Sequence, residues 1–290
     1  MTYLERRSDG RLEKLVDWFK SRGGPVVVAF SGGVDSSLTL AAAVKALGSN
    51  NVYAVTVQSP LHPSEELEVA RRVASALGVD HIIVTVDVLG VEDFSNNPPN
   101  RCYICKKSIA TKLKDVAVKV GAKNIIDGTN FEDLNDYRPG YAAFKEEGVL
   151  SPLAELGFTK NDVRELAKTL GLPNWDKPST ACLASRIPYG QKITVERLER
   201  IEKAEKIVRK LTGARSVRVR DHGDIARVEV GRDERKLFFS LELMDSLVNE
   251  LKLLGWRYVT LDLEGYRSGS MDETLKEKHL SKLGSKLEKL

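Results

Sequence analysis

Short apolar runs alternate with longer stretches of helical periodicity through the first half of the chain. Val26-Val27-Val28-Ala29-Phe30 is continuous rather than alternating, as expected of a strand buried on both faces. A Gly turn follows, and the spacing predicts a helix over residues 36–47, with Leu40, Val44 and Leu47 as its buried stripe and Gly48 as its stop. Residues 52–57 read as a second strand, and residues 64–77 as a helix opened by Glu65 and Glu66 and closed by Gly78. Residues 82–88 and 124–127 supply a third and a fourth strand. Strands alternating with helices mean βαβ units, so the expected fold class is α/β, a doubly wound parallel sheet. Ligands of such sheets sit beyond the carboxyl ends of the strands. That rule collects residues 31–37, Gln58 and residues 127–130 around one crevice.

Turn chemistry makes Ser95-Asn96-Asn97-Pro98-Pro99-Asn100 a loop. Thr159 and Asp162 form a capping-box start for a helix to about residue 170. Beyond the irregular stretch at residues 173–178 the pattern changes: a long helix over 195–211, β-like runs at 216–220 and 225–230, a helix over 234–254 and a strand at 258–263. The expected division is a nucleotide-binding α/β domain at 1–178 and a smaller C-terminal α+β domain at 179–290. The last twenty residues are charged and helix-prone, and no internal repeat is visible.

Composition narrows the class. With 290 residues, 42% hydrophobic and 30% charged, the chain can bury a sizeable core and does not read as disordered. A net charge of +4 does not by itself imply a nucleic-acid partner. No apolar run approaches the roughly 18 residues of a membrane span, and the first residues lack the basic-then-apolar order of a secretory signal. A cytoplasmic location is therefore expected. Three cysteines are an odd number, which argues against a disulfide framework.

The strongest motif, Phe30-Ser31-Gly32-Gly33-Val34-Asp35-Ser36-Ser37, lies between the first strand and its helix. Gly32 and Gly33 let the backbone approach an anion closely, so that N–H groups point at phosphate oxygens. Ser31, Ser36 and Ser37 add hydroxyls, and the helix presents its positive end to the same anion. Asp35 would repel an anion unless it binds a cation, so it is assigned to Mg²⁺. An ordinary Gly-rich turn would explain the two glycines but not the whole string in this context. No G-x-x-x-x-G-K-[ST] occurs, so this is not a Walker A loop. The string resembles the PP-loop of ATP pyrophosphatases, which include NAD, asparagine and GMP synthetases and tRNA-thiolating enzymes. The resemblance implies ATP cleaved between its α and β phosphates, with the loop holding the pyrophosphate.

Cys102 and Cys105 form a C-x-x-C, and Cys182 stands in Thr180-Ala181-Cys182-Leu183-Ala184-Ser185-Arg186. Three thiolates suit three irons of a 4Fe–4S cluster or three ligands of zinc, and Cys102 with Cys105 also suits a redox pair. Three unrelated cysteines, with Cys182 a small buried hydrophobe, is the plain alternative.

Further strings are similar to the LarE-type ATP-dependent sulfur transferases. They are Asn100-Arg101-Cys102-Tyr103, Asp127-Gly128-Thr129-Asn130, Asp136-Tyr137-Arg138-Pro139-Gly140, Trp175-Asp176-Lys177-Pro178, Ala181-Cys182-Leu183-Ala184-Ser185-Arg186-Ile187-Pro188-Tyr189-Gly190, residues 217–227, and Tyr266-Arg267-Ser268-Gly269-Ser270. The resemblance spans about residues 10–275. It implies an adenine nucleotide alpha-hydrolase-like fold, ATP and Mg²⁺ as cofactors, and a role in making the nickel-pincer nucleotide. The acceptor would be pyridinium-3,5-biscarboxylate mononucleotide: its carboxylate attacks the α-phosphate, pyrophosphate leaves, and sulfur then displaces AMP. Cys182 matches the family's sulfur-donor cysteine. Cys102 and Cys105 match the three-cysteine members, in which a 4Fe–4S cluster on Cys102, Cys105 and Cys182 would carry a transferable sulfide. A sulfide source or sulfur-donor protein and a homo-oligomer belong to the same expectation.

Arg218 and Arg220 alternate on one strand and so face one side. Guanidinium forks suit phosphate, and both match the family's substrate-phosphate arginines; Arg186 and Arg267 are weaker candidates of the same kind. A solvated strand face is the bland reading. Asp127, Gly128, Asn130 and Asp133 are placed either on ATP and Mg²⁺ or in turns and caps, and Gln58 on the adenosine. Glu229 reads as a surface strand residue, His222 as structural in a hairpin turn, and Trp175 as a packing anchor. Alternatives are a tRNA thiolase using residues 215–236 as an RNA surface, an amide-forming synthetase such as NAD synthetase, and a nucleotide sensor without catalysis.

Overall fold

A computed structural model describes residues 3–134, 139–178, 180–267 and 269–273, with the backbone alone for 3–9 and 272. Asp136, Tyr137, Arg138, Ser268 and residues 274–290 of the charged tail lie outside the described residues. The elements in chain order are α1 (Tyr3–Arg22), β1 (Val26–Ala29), α2 (Val34–Leu47), β2 (Val52–Gln58), α3 (Ser64–Leu77), β3 (Asp80–Thr85), α4 (Glu92–Ser95), α5 (Arg101–Val120), β4 (Asn124–Ile126), α6 (Pro139–Glu146), α7 (Pro152–Glu155), α8 (Lys160–Thr169), α9 (Val195–Thr212), β5 (Val217–Asp221), β6 (Ile225–Val230), α10 (Leu241–Leu253) and β7 (Tyr258–Leu261). They fall into two compact units. The first holds residues 1–88 and 100–180, and the second holds residues 89–99 and 181–290.

The first unit is a four-stranded parallel sheet, ordered β3-β2-β1-β4, with helices on both faces. The continuous apolar run of β1 follows from this sandwich. Val26 and Val28 enter a core with α2 and α8, while Val27 points the other way into a core with Ile109, Ala110, Leu113 and Val116 of α5. Helix α2 is central. Its buried residues run from Leu38 through Leu40 to Ala43 without a polar face, so the single stripe of Leu40, Val44 and Leu47 is too narrow a description. Strand β3 ends at Thr85, short of residue 88, because its partner β2 ends at Gln58, the residue opposite Thr85. The sequence reading assigns no element to α1 or α5. The strand order reverses between β1 and β4, and the loops after these two strands form the switch point of the sheet.

The second unit is a mixed sheet, β5-β6-β7, with β5 and β6 antiparallel and β6 and β7 parallel. Leu198, Ile201, Ala204 and Val208 of α9 are fully buried, and α9 packs on β5. Asn97, at φ 56°, is buried and donates from Nδ2 to the carbonyls of Ile187 and Pro188, which ties residues 89–99 to this unit. One long helix over 234–254 does not form. A 3-10 segment (Arg232–Phe238) ends at Phe239, and Ser240 caps α10 through the N–H of Leu243. Glu234 is drawn back to accept from the N–H groups of Gly231, Arg215 and Ser216 instead of continuing a helix.

Candidate active site

The loop after β1 is shaped to receive an anion. Gly32 takes φ +73°, and a Cβ there would stand 3.0 Å from the backbone of Glu66 and Ala70 on α3, so glycine is needed for both conformation and space. The serines tie the turn together. Ser36 Oγ donates to the Gly33 carbonyl at 3.0 Å and accepts from Ser31 N, and Ser37 Oγ donates to the same carbonyl at 2.9 Å. No side chain caps α2, so its first-turn N–H groups keep the positive end of the helix available to an anion. Gly128, after β4, lies against this turn so closely that a Cβ would meet Ser36 N at 2.6 Å.

Asn174 underpins the loop. It is buried and donates from Nδ2 to the Gly32 carbonyl at 2.8 Å and to Ser37 Oγ at 2.9 Å. Nothing in periodicity marks it; it sits beside Trp175, which is 36% exposed and has the Lys168 ammonium 4.8 Å over its ring. Lys177 pairs with Glu66 at 2.6 Å on the neighbouring helix α3.

Asp35 opens α2 and has two partners. Asn130 Nδ2 donates to one carboxylate oxygen at 3.1 Å, and the Lys160 ammonium donates to the other. No sequence motif marks Lys160, in the first turn of α8. The Asp35 carboxylate, partly accessible at an anion-binding helix start, fits Mg²⁺, which binds through one or two carboxylates plus substrate phosphates. Asp127 is engaged in the turn that follows β4. Its oxygens accept from Ser151 Oγ, Thr129 N and Thr129 Oγ1, a turn built on β4. Asn130 and Asp133 exchange side chain-to-backbone hydrogen bonds. Gln58 is the exposed last residue of β2, at the carboxyl edge of the sheet.

In the second unit Cys182 is partly buried and precedes a 3-10 turn (Leu183–Arg186). Arg186 is wholly buried. Its Nε donates to Glu205 at 2.8 Å, its Nη2 bonds the other Glu205 oxygen, and its Nη1 donates to the carbonyls of Ala181 and Cys182. Glu205 also accepts from Val219 N on β5. Arg186 is thereby committed to holding the cysteine loop.

Arg218 and Arg220 are both buried, not on a solvated strand face. Arg218 stacks over Tyr266 at 4.9 Å. Burial, with the Arg186 guanidinium nearby, pulls its pKa down. Arg220 donates to Glu229 at 2.7 Å and to the Ser185 carbonyl at 3.1 Å, within the Cys182 loop. Glu229 is fully buried and accepts from Arg227 too, so the expectation of a surface residue is corrected. Arg186, Arg218, Arg220 and Arg227 face three carboxylates, Glu205, Glu229 and Asp262, which leaves surplus positive charge in the cluster that adjoins the Cys182 loop. Burial and the positive charge of Arg227 hold His222, in the β5–β6 turn, neutral to lower pH than usual.

Cys102 and Cys105 occupy the first turn of α5 in the first unit, and none of the three cysteines is in a disulfide. Among the described residues no three His, Cys, Asp or Glu side chains stand close enough to hold a metal ion. The described residues also include no helix long and apolar enough to cross a membrane.

Comparison with known proteins decides the family. The asparagine synthase family model matches residues 11–106, which contain the phosphate loop. The pyridinium-3,5-bisthiocarboxylic acid mononucleotide synthase of Lactiplantibacillus plantarum is 43% identical over 256 residues, 88% of this chain and 92% of that protein. The chain belongs to the LarE family of sulfur transferases. An uncharacterized protein of Synechocystis, slr1717, is also 43% identical, over 92% of this chain and 98% of its own length. The GMP synthase of Aeropyrum pernix is 30% identical over 70% of this chain but only 43% of its own length. The LarE family is thus matched through both units, whereas the synthetase likeness is partial. The chain is an enzyme of the PP-loop ATP pyrophosphatase type.

Proposed function

We propose that this LarE-family enzyme adenylates a carboxylate of pyridinium-3,5-biscarboxylate mononucleotide with ATP and then replaces AMP by sulfur. One observation carries the reading: a buried arginine cluster with surplus positive charge adjoins the loop of Cys182, through the Arg220 contact to Ser185 and the Arg186 contact to Cys182. A phosphate anchor beside a sulfur-bearing loop suits a small mononucleotide acceptor. The likeness to the Lactiplantibacillus plantarum synthase supports the same acceptor.

In this reading the first unit binds ATP. The first-turn N–H groups of α2 and the 31–37 loop hold the pyrophosphate, and Asp35 holds Mg²⁺. When bound, that ion offsets negative charge as pyrophosphate departs. The acceptor carboxylate oxygen forms a bond to the α-phosphorus as the bond to pyrophosphate breaks. The acyl adenylate has a leaving group that a bare carboxylate lacks, so a sulfur nucleophile can add to the carboxyl carbon and expel AMP. Arg218 and Arg220 hold the acceptor's phosphate, and Arg186 fixes the backbone of Cys182.

Sulfide carried on a 4Fe–4S cluster of Cys102, Cys105 and Cys182 is the sulfur source of the three-cysteine reading. Its support is the set of three cysteines, Cys102, Cys105 and Cys182, in the strings similar to the three-cysteine members. A homo-oligomer and an external sulfide or sulfur-donor protein complete the proposal. The test incubates the enzyme, purified without air, with the acceptor, ATP and Mg²⁺. Pyrophosphate, AMP and a thiocarboxylate product by mass are expected. Pyrophosphate release without dependence on the acceptor would contradict the proposal. Iron analysis of Cys102→Ala, Cys105→Ala and Cys182→Ala, with the mass of Cys182 after turnover, separates cluster sulfide from loss of the cysteine's own sulfur.

A further inference from the structure

The Asp35–Lys160 pair has a place that structure alone does not require. A lysine in the first turn of a helix opposes the positive end of that helix, yet Lys160 stands at the first position of α8. The nearby carboxylate on its own helix, Asp162, is already engaged by Thr159 and Arg11. The Lys160 ammonium instead reaches back to Asp35, at the start of α2 and beside the anion cradle. Asn130 takes the other oxygen of Asp35. A divalent cation at Asp35 therefore meets the Lys160 charge on the same carboxylate.

We propose that Lys160 is an exchangeable cation of the nucleotide site: it competes with the divalent ion for Asp35 and, once displaced, places its charge on the polyphosphate held by the 31–37 loop. The flexible four-carbon stem of lysine allows this, since the capping box fixes the backbone of α8 while the ammonium turns. Two positive charges on one carboxylate repel each other, and an incoming tetra-anion offers the displaced ammonium a stronger partner. The exchange links metal loading to nucleotide loading, so that neither charge remains unpaired. It rests on the adenylation reading only for the identity of the anion.

The test uses the full chain and two probes, Mn²⁺ alone and inorganic pyrophosphate with Mg²⁺ at saturation. Removing the competing charge in Lys160→Met should tighten Mn²⁺ binding, read by electron paramagnetic resonance, about tenfold. Asp35→Asn introduced beside it should abolish that gain. Lys160→Met should weaken pyrophosphate binding by calorimetry about tenfold, and Lys160→Arg should restore it while keeping Mn²⁺ weak. Unchanged Mn²⁺ affinity in a Lys160→Met protein that melts like wild type would overturn the competition. Unchanged pyrophosphate affinity would overturn the transfer of charge. Wild-type protein that binds no pyrophosphate would sink the adenylation reading instead, and the Mn²⁺ titration would still decide the exchange at Asp35.

Discussion

Gly128 shows how much one residue can fix. A Cβ there would stand 2.6 Å from Ser36 N, and that neighbour is backbone that cannot swing aside. Gly128→Ala should therefore push the first turn of α2 out of place and lower ATP-dependent pyrophosphate release about 100-fold, because small displacements of positioned groups cost that much. The overpacking should destabilise by about 1–3 kcal/mol in denaturant unfolding. The glycine was legible as part of a motif, but its reason was not, since it lies in a contact between loops 92 residues apart, 128 minus 36. His62 is a second case. Burial and then the charge of Lys106 lower its pKa from 6.5 to about 4. The folded imidazole stays neutral where the unfolded one takes a proton, so stability falls as pH drops from 6.5 toward 4. Between pH 7 and 4.5 wild type should lose about 2 kcal/mol more than His62→Gln in urea unfolding.

At the scale of elements, one cap and one buried pair hold the site. The Thr159–Asp162 box starts α8 and places Lys160. Thr159→Ala should cost about 1 kcal/mol by thermal unfolding, the usual worth of an N-cap. Glu205 joins α9 to the Cys182 loop through Arg186 and to β5 through Val219 N. Glu205→Ala leaves a buried guanidinium without its carboxylate and should cost about 3–5 kcal/mol, while Arg186→Met with Glu205→Leu should recover most of that loss. Either result is read from denaturant midpoints. The β strands and α3 were legible because their signals are local: continuous apolar runs, an acidic first turn, and Gly78 at the stop. Helix α5 carries a readable stripe at Ile109, Leu113 and Val116, which its C-x-x-C start overshadowed. The break before α10 depends on Ser240 outcompeting helix continuation, a choice made by tertiary partners of Glu234.

The whole molecule pairs an α/β unit that carries the phosphate loop with a second unit that carries Cys182 and the arginines. Sequence motifs identified both sets, because glycines, cysteines and arginines bear their chemistry in their type. They did not identify Lys160, Asn174 or Glu205, whose roles arise from contacts across the fold. The central claim is that the acceptor carboxylate itself attacks ATP. Single-turnover reaction with acceptor labelled by oxygen-18 in its carboxylates tests it most directly. Attack on the α-phosphorus carries a carboxylate oxygen into AMP, so labelled AMP and a thiocarboxylate that has lost one label are predicted. Unlabelled AMP alongside pyrophosphate would mean that water attacks ATP, and would contradict the account.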